Sequence, residues 1–127
     1  MIRAVVDEVV PTDVVPALSD EWAVVDVFPE GWRGLPDSAV IGQAAERGYA
    51  WLITCDKRMA FQQNLSGRKI SVLVLPTPRA PEIARIQRKV QTTLRRPVPG
   101  CFIVLDADGF PVGKPAAHLA GLAERTP

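Results

Sequence analysis

Short apolar runs alternate along this chain with longer segments in which apolar residues recur at every third or fourth position. The first pattern, rich in β-branched side chains, is typical of strands buried on both faces, and the second is typical of helices that bury one side. The runs predict strands at residues 2–6, 24–28, 51–55, 70–75 and 101–105. The longer segments predict helices at residues 12–21, 37–47 and 81–94, and a short one after residue 56. This alternation predicts an α/β fold, with a mainly parallel sheet of about five strands and helices on both of its faces.

The predicted helices and turns carry recognisable boundary signals. Thr12 or Asp13 is expected to cap the first helix, and Gly48 is expected to end the second. The Asp-Gly pair before Phe110 predicts a hairpin turn into a sixth, short strand at residues 110–112.

The chain of 127 residues is long enough for one domain with a substantial core, expected at residues 1–113 and followed by a tail at 114–127. Residues 115–124 of the tail predict one or two helical turns. Two cysteines, Cys55 and Cys101, are too few for a disulfide framework or a structural zinc site, and we expect reduced core thiols. No apolar run approaches the roughly 20 residues that span a bilayer, and no signal-peptide pattern is recognisable, so we expect a cytoplasmic protein.

The net charge of +1 conceals a strong separation of charge along the chain. Residues 1–56 contain 3 basic and 10 acidic side chains, whereas residues 57–96 contain 10 basic side chains and a single acid, Glu82. Such asymmetry predicts an acidic pocket that attracts metal ions beside a basic surface that attracts phosphates. The alternative, that these charges only solvate helix faces, stays open at this point.

Carboxylates follow two predicted strands where each strand ends: Asp7 and Glu8 after the first, and Asp56 after the third. Because the carboxyl ends of parallel strands meet at one edge of a sheet, we expect these side chains to lie close together. Neighbouring carboxylates repel one another unless a cation joins them, and hard oxygen ligands suit Mg²⁺ or Mn²⁺. Asp37, at the start of a predicted helix, is a further candidate ligand, although a helix cap explains it equally well. For Glu8, the alternative is an acid that faces solvent.

Polar and aromatic side chains near these acids are candidates for substrate contacts. Gln62, Gln63 and Asn64 follow the third strand on the predicted short helix, where they could bond a phosphate, a base or the carboxylates, or only cap the local backbone. The Thr54 hydroxyl could contact a ligand or simply pack within the strand. Trp32 could stack on a base, although anchoring of its loop over the core is the favoured interpretation.

Several of these segments together resemble the small PIN-like proteins found among relatives of bacterial toxin–antitoxin systems. The matching pieces are Val-Asp-Glu at 6–8, Gly-Trp-Arg-Gly-Leu at 31–35, Leu-Ile-Thr-Cys-Asp-Lys at 52–57 and Phe-Gln-Gln-Asn-Leu-Ser-Gly-Arg at 61–68. The resemblance covers residues 2–76 and continues more loosely to residue 105, and its most specific part is the Gln-Gln-Asn-Leu run.

The resemblance implies a three-layer α/β/α sandwich and cleavage of RNA that depends on Mg²⁺ or Mn²⁺. Asp7 and Asp56 match acidic positions of the family, whereas Asp37 stands where some relatives carry asparagine. The expected metal ligands are Asp7, Glu8, Asp37 and Asp56, and the three aspartates are the expected catalytic residues. The residues expected to contact RNA are Thr54, Gln62, Gln63, Asn64, Arg68, Arg85, Arg88 and Lys89. A cognate antitoxin and a second copy of the chain are the expected protein partners.

Two positions depart from the family pattern. Val9 replaces an asparagine that commonly follows the Asp-Glu pair, and Arg58 stands where many relatives carry a second acid. With fewer carboxylates, the affinity for metal would be low. The main alternative to a nuclease is therefore a PIN-like module that binds RNA or protein without cutting.

A receiver-type phosphoacceptor domain is a more distant alternative. Such domains also place an acid pair after the first strand and an aspartate after the third, where this chain has Asp56. Thr77 and Lys114 would complete that layout, although Lys114 follows the predicted hairpin and is far from Thr77.

Overall fold

The computed structural model describes residues 1–112, which form a five-stranded sheet with helices on both faces. The strands are β1 (Ile2–Val6), β2 (Ala23–Asp26), β3 (Trp51–Thr54), β4 (Ser71–Val74) and β5 (Phe102–Val104). The helices are α1 (Val15–Leu18), α2 (Asp37–Glu46), α3 (Met59–Gln62), α4 (Ala80–Arg85) and α5 (Gln87–Leu94). Single 3₁₀ turns lie at Thr12–Val14 and Glu30–Trp32. The predicted three-layer α/β architecture is confirmed.

All neighbouring strands of the sheet are parallel, in the order β2-β1-β3-β4-β5. Within β1, Val5 lies opposite Asp26 on one side and opposite Leu52 on the other. The chain therefore extends the sheet from β1 in one direction with β2 and in the other direction from β3 onward. In doubly wound sheets, ligands bind outside the carboxyl ends of the strands where the order reverses, which here lies between β1 and β3.

Alternate side chains of the strands are buried in two separate cores. On one face, β1 contributes Val6 to a core shared with α1, α4 and α5. On the other face, it contributes Val5 to a core shared with α2 and α3. Each fully buried valine or leucine stabilises the fold by about 1.5–3 kcal/mol. By the same alternation, Asp7 lies on the side of Val5, the face covered by α2 and α3, and not on the side of Val6.

The first helix is shorter than the predicted 12–21, since α1 ends at Leu18. Ser19 is already extended, and Asp20 Oδ1 accepts hydrogen bonds from two N–H groups at the start of β2, at 2.8 and 3.0 Å. The Asp20 side chain therefore favours a turn over further helix. The capping role expected of Thr12 or Asp13 is also wrong, because no side chain caps this segment.

The long basic helix predicted at 81–94 is broken into α4 and α5 at Ile86, whose φ is −108° and ψ is 13°. A turn from a distant part of the chain packs against the break. Its Gly109 has a φ of +87°, and a Cβ at this position would lie only 3.1 Å from Cβ of Ile86 and of Lys89. Glycine is needed there both for the left-handed backbone and for the close approach.

The hairpin turn predicted from the Asp-Gly pair is present, but the strand after it is only a single antiparallel bridge between Leu105 and Pro111. Proline has no N–H with which to continue a ladder. The predicted tail, including the helical turns at 115–124, lies outside the described residues. Among the helices of residues 1–112, none has the length and apolar character needed to cross a membrane.

Candidate functional site

Asp7 lies at the carboxyl edge of the sheet, where the strand order reverses. Its N–H donates a hydrogen bond to the Ile53 carbonyl at 2.7 Å, so Asp7 continues β1 alongside β3. The residue is buried, with only 6% of its surface exposed. The Thr54 hydroxyl donates to Asp7 Oδ2 at 2.9 Å and accepts a hydrogen bond from the Asp56 N–H at 3.1 Å. One hydroxyl therefore links the end of β1 to the loop that carries Asp56.

Burial and like charges both act on the Asp7 carboxyl. Burial raises the pKa of Asp7 above its ordinary value of 3.8, hydrogen bonds from the Thr54 hydroxyl and the Glu8 N–H oppose this, and the charges of Asp37 and Asp56 raise it further. The net pKa is raised. The fold thus brings Asp37 and Asp56 into electrostatic range of Asp7, an arrangement that a cation would stabilise.

Asp37 is the first residue of α2, and Pro36 occupies the cap position before it. The Asp37 side chain makes no capping hydrogen bond, so helix capping does not explain this residue. Within residues 1–112 its carboxylate has no ion-pair partner. The positive end of the helix stabilises a negative charge at this position, and that charge acts on Asp7.

Asp56 is held by its own loop. Its Oδ1 accepts a hydrogen bond from the Arg58 N–H at 2.9 Å and lies 3.4 Å from Arg58 Nε. The Asp56 side chain is 25% exposed, and that of Arg58 is 80% exposed. Arg58, which departs from the family pattern, therefore supplies positive charge to the carboxylate that a metal ion would use.

Glu8 does not join the three aspartates. Its Oε2 accepts a hydrogen bond from Arg33 Nη1 at 3.0 Å, and Arg33 Nε pairs with Glu30 at 2.9 Å. This network connects the loop after β1 to the 3₁₀ turn before α2. The carboxylate of Glu8 is not among the charges that shift the pKa of Asp7. A solvent-facing acid describes Glu8 better than a metal ligand.

Within residues 1–112, no group of three or more Asp, Glu, His or Cys side chains is arranged to hold a metal ion. The expected cage of four carboxylates is therefore not formed. Two carboxylates could still bind an ion that keeps most of its water, because Mg²⁺ commonly binds through one or two carboxylates and retains several water molecules. The donors are all carboxylate oxygens, which suit Mg²⁺ or Mn²⁺ better than a softer metal. Asp7 and Asp56, linked through Thr54, are the pair that would hold such an ion.

The amide residues after β3 do not share one helix. Gln62 ends α3, and Gln63 is extended, with φ −115° and ψ 148°. Asn64 Oδ1 accepts a hydrogen bond from the Ser66 N–H at 2.8 Å, so its side chain caps a local turn. The prediction of one helix carrying all three amides is wrong, because the short side chain of Asn64 competes for backbone hydrogen bonds. Gln62 is exposed and remains available to a substrate.

The basic residues expected to contact RNA lie on both faces of the sheet. Arg68 lies over α2, with Nη1 3.1 Å from where a Cβ on Gly42 would stand. Arg85, Arg88 and Lys89 belong to α4 and α5, which cover the opposite face. These three residues therefore form a surface that is separate from the carboxylates.

The anchoring role of Trp32 is confirmed. The residue is 2% exposed, and its ring meets Phe28 and Tyr49 edge to face. Phe61, in the helix that follows Asp56, is instead 65% exposed. The sequence does not indicate that the Phe61 side chain is exposed, because an apolar side chain within a predicted helix is usually a core residue.

The carboxylate site thus consists of Asp7, Asp37 and Asp56, organised by Thr54 and partly neutralised by Arg58. Glu8 and the basic side chains of α4 and α5 lie outside it. The PIN-like resemblance is carried by sequence segments alone: no family model, no curated protein and no solved structure matches this chain.

Proposed function

We propose that the protein is a cytoplasmic, metal-dependent endoribonuclease of the toxin–antitoxin type, with a PIN-like fold that hydrolyses RNA phosphodiester bonds. The observation that supports the proposal is the buried Asp7 carboxyl. Its pKa is raised by burial and further by the negative charges of Asp37 and Asp56. These acids lie where doubly wound sheets bind ligands. A carboxyl whose pKa is shifted as that of Asp7 is shifted is more typical of functional sites than of ordinary packing.

Each residue of the site has a distinct part in the proposed reaction. Mg²⁺ or Mn²⁺, held by Asp7 and Asp56, would supply neutralising charge at the phosphate and an activated water for hydrolysis. Thr54 fixes the position of Asp7 through its hydroxyl and that of Asp56 through the backbone. Asp37 adds negative charge that favours cation binding. Gln62, an exposed amide six residues after Asp56 in the sequence, is available to contact RNA.

The test is cleavage of labelled single-stranded RNA by the wild type and by Asp56→Asn, with Mn²⁺ and with EDTA. Asparagine keeps an oxygen that can accept the Arg58 N–H, so the loop is retained while the charge is lost. We expect metal-dependent cleavage by the wild type and a loss of about a hundredfold or more in the variant. Thermal stability should stay the same or rise, because repulsion with Asp7 is relieved.

A matched control is Glu82→Gln, which removes a carboxylate that pairs with Arg79 at 3.1 Å outside the site. This variant should cleave RNA like the wild type. Equal cleavage by the wild type and Asp56→Asn would contradict the proposed role of the carboxylates.

A PIN-like module that binds RNA or protein without cutting is a second candidate. The contact of Arg58 with Asp56 favours it, because a guanidinium already provides part of the charge that a metal ion would bring. RNA binding that is unaffected by EDTA, together with no cleavage at any Mn²⁺ concentration, would identify such a module.

The strand order also occurs in receiver-type phosphoacceptor domains. The residue after β4 that would match their hydroxyl, Thr77, instead accepts a hydrogen bond from the Arg79 N–H at 3.2 Å. Lys114 lies outside the described residues. Binding of beryllofluoride, which mimics a phosphorylated aspartate, would favour the receiver alternative over the nuclease.

A further inference from the structure

A hollow of about 450 Å³ lies where α4 meets α5, on the face of the sheet opposite α2 and α3. It is lined by residues 84–89, which include Arg85, Arg88 and Lys89 and no acid. None of the ion pairs formed within residues 1–112 involves these three side chains. Three positive charges therefore line one hollow without a carboxylate partner in the described part of the chain.

The break between α4 and α5 places two of these charges at the positive end of a helix. Arg88 and Lys89 lie in the first turn of α5, which contains no acid. Cations at the positive end of a helix are unfavourable, and an anion bound there would reverse the effect.

The turn that packs against the break holds Lys89 in place. Lys89 Nζ donates a hydrogen bond to the Asp108 carbonyl at 2.9 Å and lies 4.0 Å from the centre of the Phe110 ring. The carboxylate of Asp106 is directed at its own turn, where Oδ1 accepts the N–H groups of Asp108 and Phe110. Phe110 itself is 54% exposed. An exposed aromatic ring therefore flanks the positively charged hollow.

We propose that this hollow binds single-stranded RNA, with Arg85, Arg88 and Lys89 contacting phosphates and Phe110 stacking on a base. Charge alone would suit any anion, but the combination of several cations with an exposed ring is typical of surfaces that bind single strands. The choice of RNA rests on the proposed nuclease function. Because α4 and α5 cover the face opposite the one that Asp7 shares with α2 and α3, the hollow holds RNA away from the bond that is cleaved.

The test measures RNA binding in EDTA, where the carboxylate site carries no metal ion. Fluorescence anisotropy of a short, labelled single-stranded RNA is followed over a range of salt concentrations. Arg85→Ala/Arg88→Ala removes two charges from the hollow, and Lys69→Ala/Arg96→Ala removes two exposed charges outside it. The first variant should bind about tenfold or more weakly, and its log–log salt slope should be shallower by about 1.4, since each phosphate contact contributes about 0.7.

Phe110→Ala should weaken binding by roughly tenfold without changing the salt slope, because stacking is not ionic. Equal losses in the two double variants would mean that diffuse charge binds RNA, and would overturn the proposed site. Wild-type affinity in Arg85→Ala/Arg88→Ala, or no binding by the wild type, would also overturn it. Wild-type affinity in Phe110→Ala would overturn the stacking contact.

The carboxylate variant Asp56→Asn separates this site from the proposed activity. It should bind RNA in EDTA as tightly as the wild type. Intact binding without any cleavage by the wild type would contradict the nuclease proposal alone. Metal-dependent cleavage with binding that does not depend on Arg85 and Arg88 would contradict the proposed hollow alone.

Discussion

The hydroxyl of Thr54 donates a hydrogen bond to Asp7 Oδ2 at 2.9 Å, between the ends of β1 and β3, where the strand order of the sheet reverses. Both residues are buried, with 0% of Thr54 and 6% of Asp7 exposed. Burial favours the neutral form of Asp7, whereas a donated hydrogen bond favours the charged form. This contact therefore favours ionisation of Asp7 against the larger effect of burial, and it holds the carboxyl at the edge of the sheet.

Thr54→Val should destabilise the protein, because it removes the hydroxyl that donates to Asp7 and accepts from the Asp56 N–H, while keeping the shape of the side chain. The buried Asp7 carboxyl would lose a partner, its pKa would rise further, and the free energy of unfolding at neutral pH should fall by about 1–3 kcal/mol. Chemical denaturation measures this loss. Thr92→Val is the matched control, since its exposed hydroxyl only bonds the Arg88 carbonyl at 2.8 Å. Equal losses in the two variants would contradict a special role for the Thr54 contact.

Asp7→Asn should stabilise the metal-free protein increasingly as the pH rises. Because the folded pKa of Asp7 is raised above 3.8, the folded state binds the proton more tightly than the unfolded chain does. The stabilisation that comes from protonated Asp7 is complete below pH 3.8 and is lost as the pH rises through the folded pKa. The melting temperature of the variant minus that of the wild type, measured in EDTA, should therefore grow up to this pKa and then level off. A difference that does not change with pH would contradict the prediction.

Asp20→Asn is the control of opposite sign. Burial raises the pKa of Asp20, but hydrogen bonds from the N–H groups of Trp22 and Ala23, with the contribution of Arg95, lower it more, so the net pKa lies below 3.8. Ionised Asp20 thus stabilises the fold above pH 3.8, and this contribution is lost as the pH falls through the lowered pKa. This variant should lose stability at neutral pH under the conditions in which Asp7→Asn gains it.

Arg58→Gln should increase the affinity for divalent metal. The Arg58 guanidinium, whose Nε lies 3.4 Å from Asp56 Oδ1, would compete with a bound metal ion for this oxygen. An exposed pair of this kind contributes about 0.2–1 kcal/mol, so the dissociation constant for Mn²⁺ should fall by up to about fivefold. Arg79→Gln, which removes an exposed arginine paired with Glu82, should leave metal affinity unchanged. An unchanged affinity in Arg58→Gln would show that Arg58 does not restrict the site.

The Cys55 thiol should react slowly with alkylating reagents. Burial, and to a lesser extent the charge of Asp7, raise its pKa to about 11. Only the thiolate is nucleophilic, so in the folded protein at pH 8 alkylation by iodoacetamide should be about a hundredfold slower than for a free cysteine. Mass spectrometry of the labelled peptide measures the rate. Labelling at the rate of a free thiol would contradict the burial of this side chain.

The strands could be predicted closely because each buried strand leaves a local signal. The predicted span of β1, residues 2–6, is Ile2–Val6 in the structure, and β3 at Trp51–Thr54 is one residue shorter than predicted. Short runs of β-branched residues bounded by turns carry this information within a few positions. The placement of Asp7 and Asp56 at one edge follows from the same strands, since parallel strands end together.

Other features depended on contacts between distant residues and could not be predicted. The break at Ile86 coincides with the close approach of Gly109, which lies beyond β5. Glu8 accepts a hydrogen bond from Arg33, which lies 25 residues further along the sequence. The separation of Arg85 and Arg88 from the carboxylates depends on which face α4 covers. Local sequence patterns contain none of this information.

The most direct test of the account is calorimetric titration of Mn²⁺ into the wild type and Asp56→Asn. The carboxylate site predicts saturable binding by the wild type that is lost or greatly weakened in the variant, because one of the two carboxylates that would hold the ion is removed. Binding that is equal in both proteins, or no binding by the wild type up to millimolar Mn²⁺, would contradict a metal site at Asp7 and Asp56.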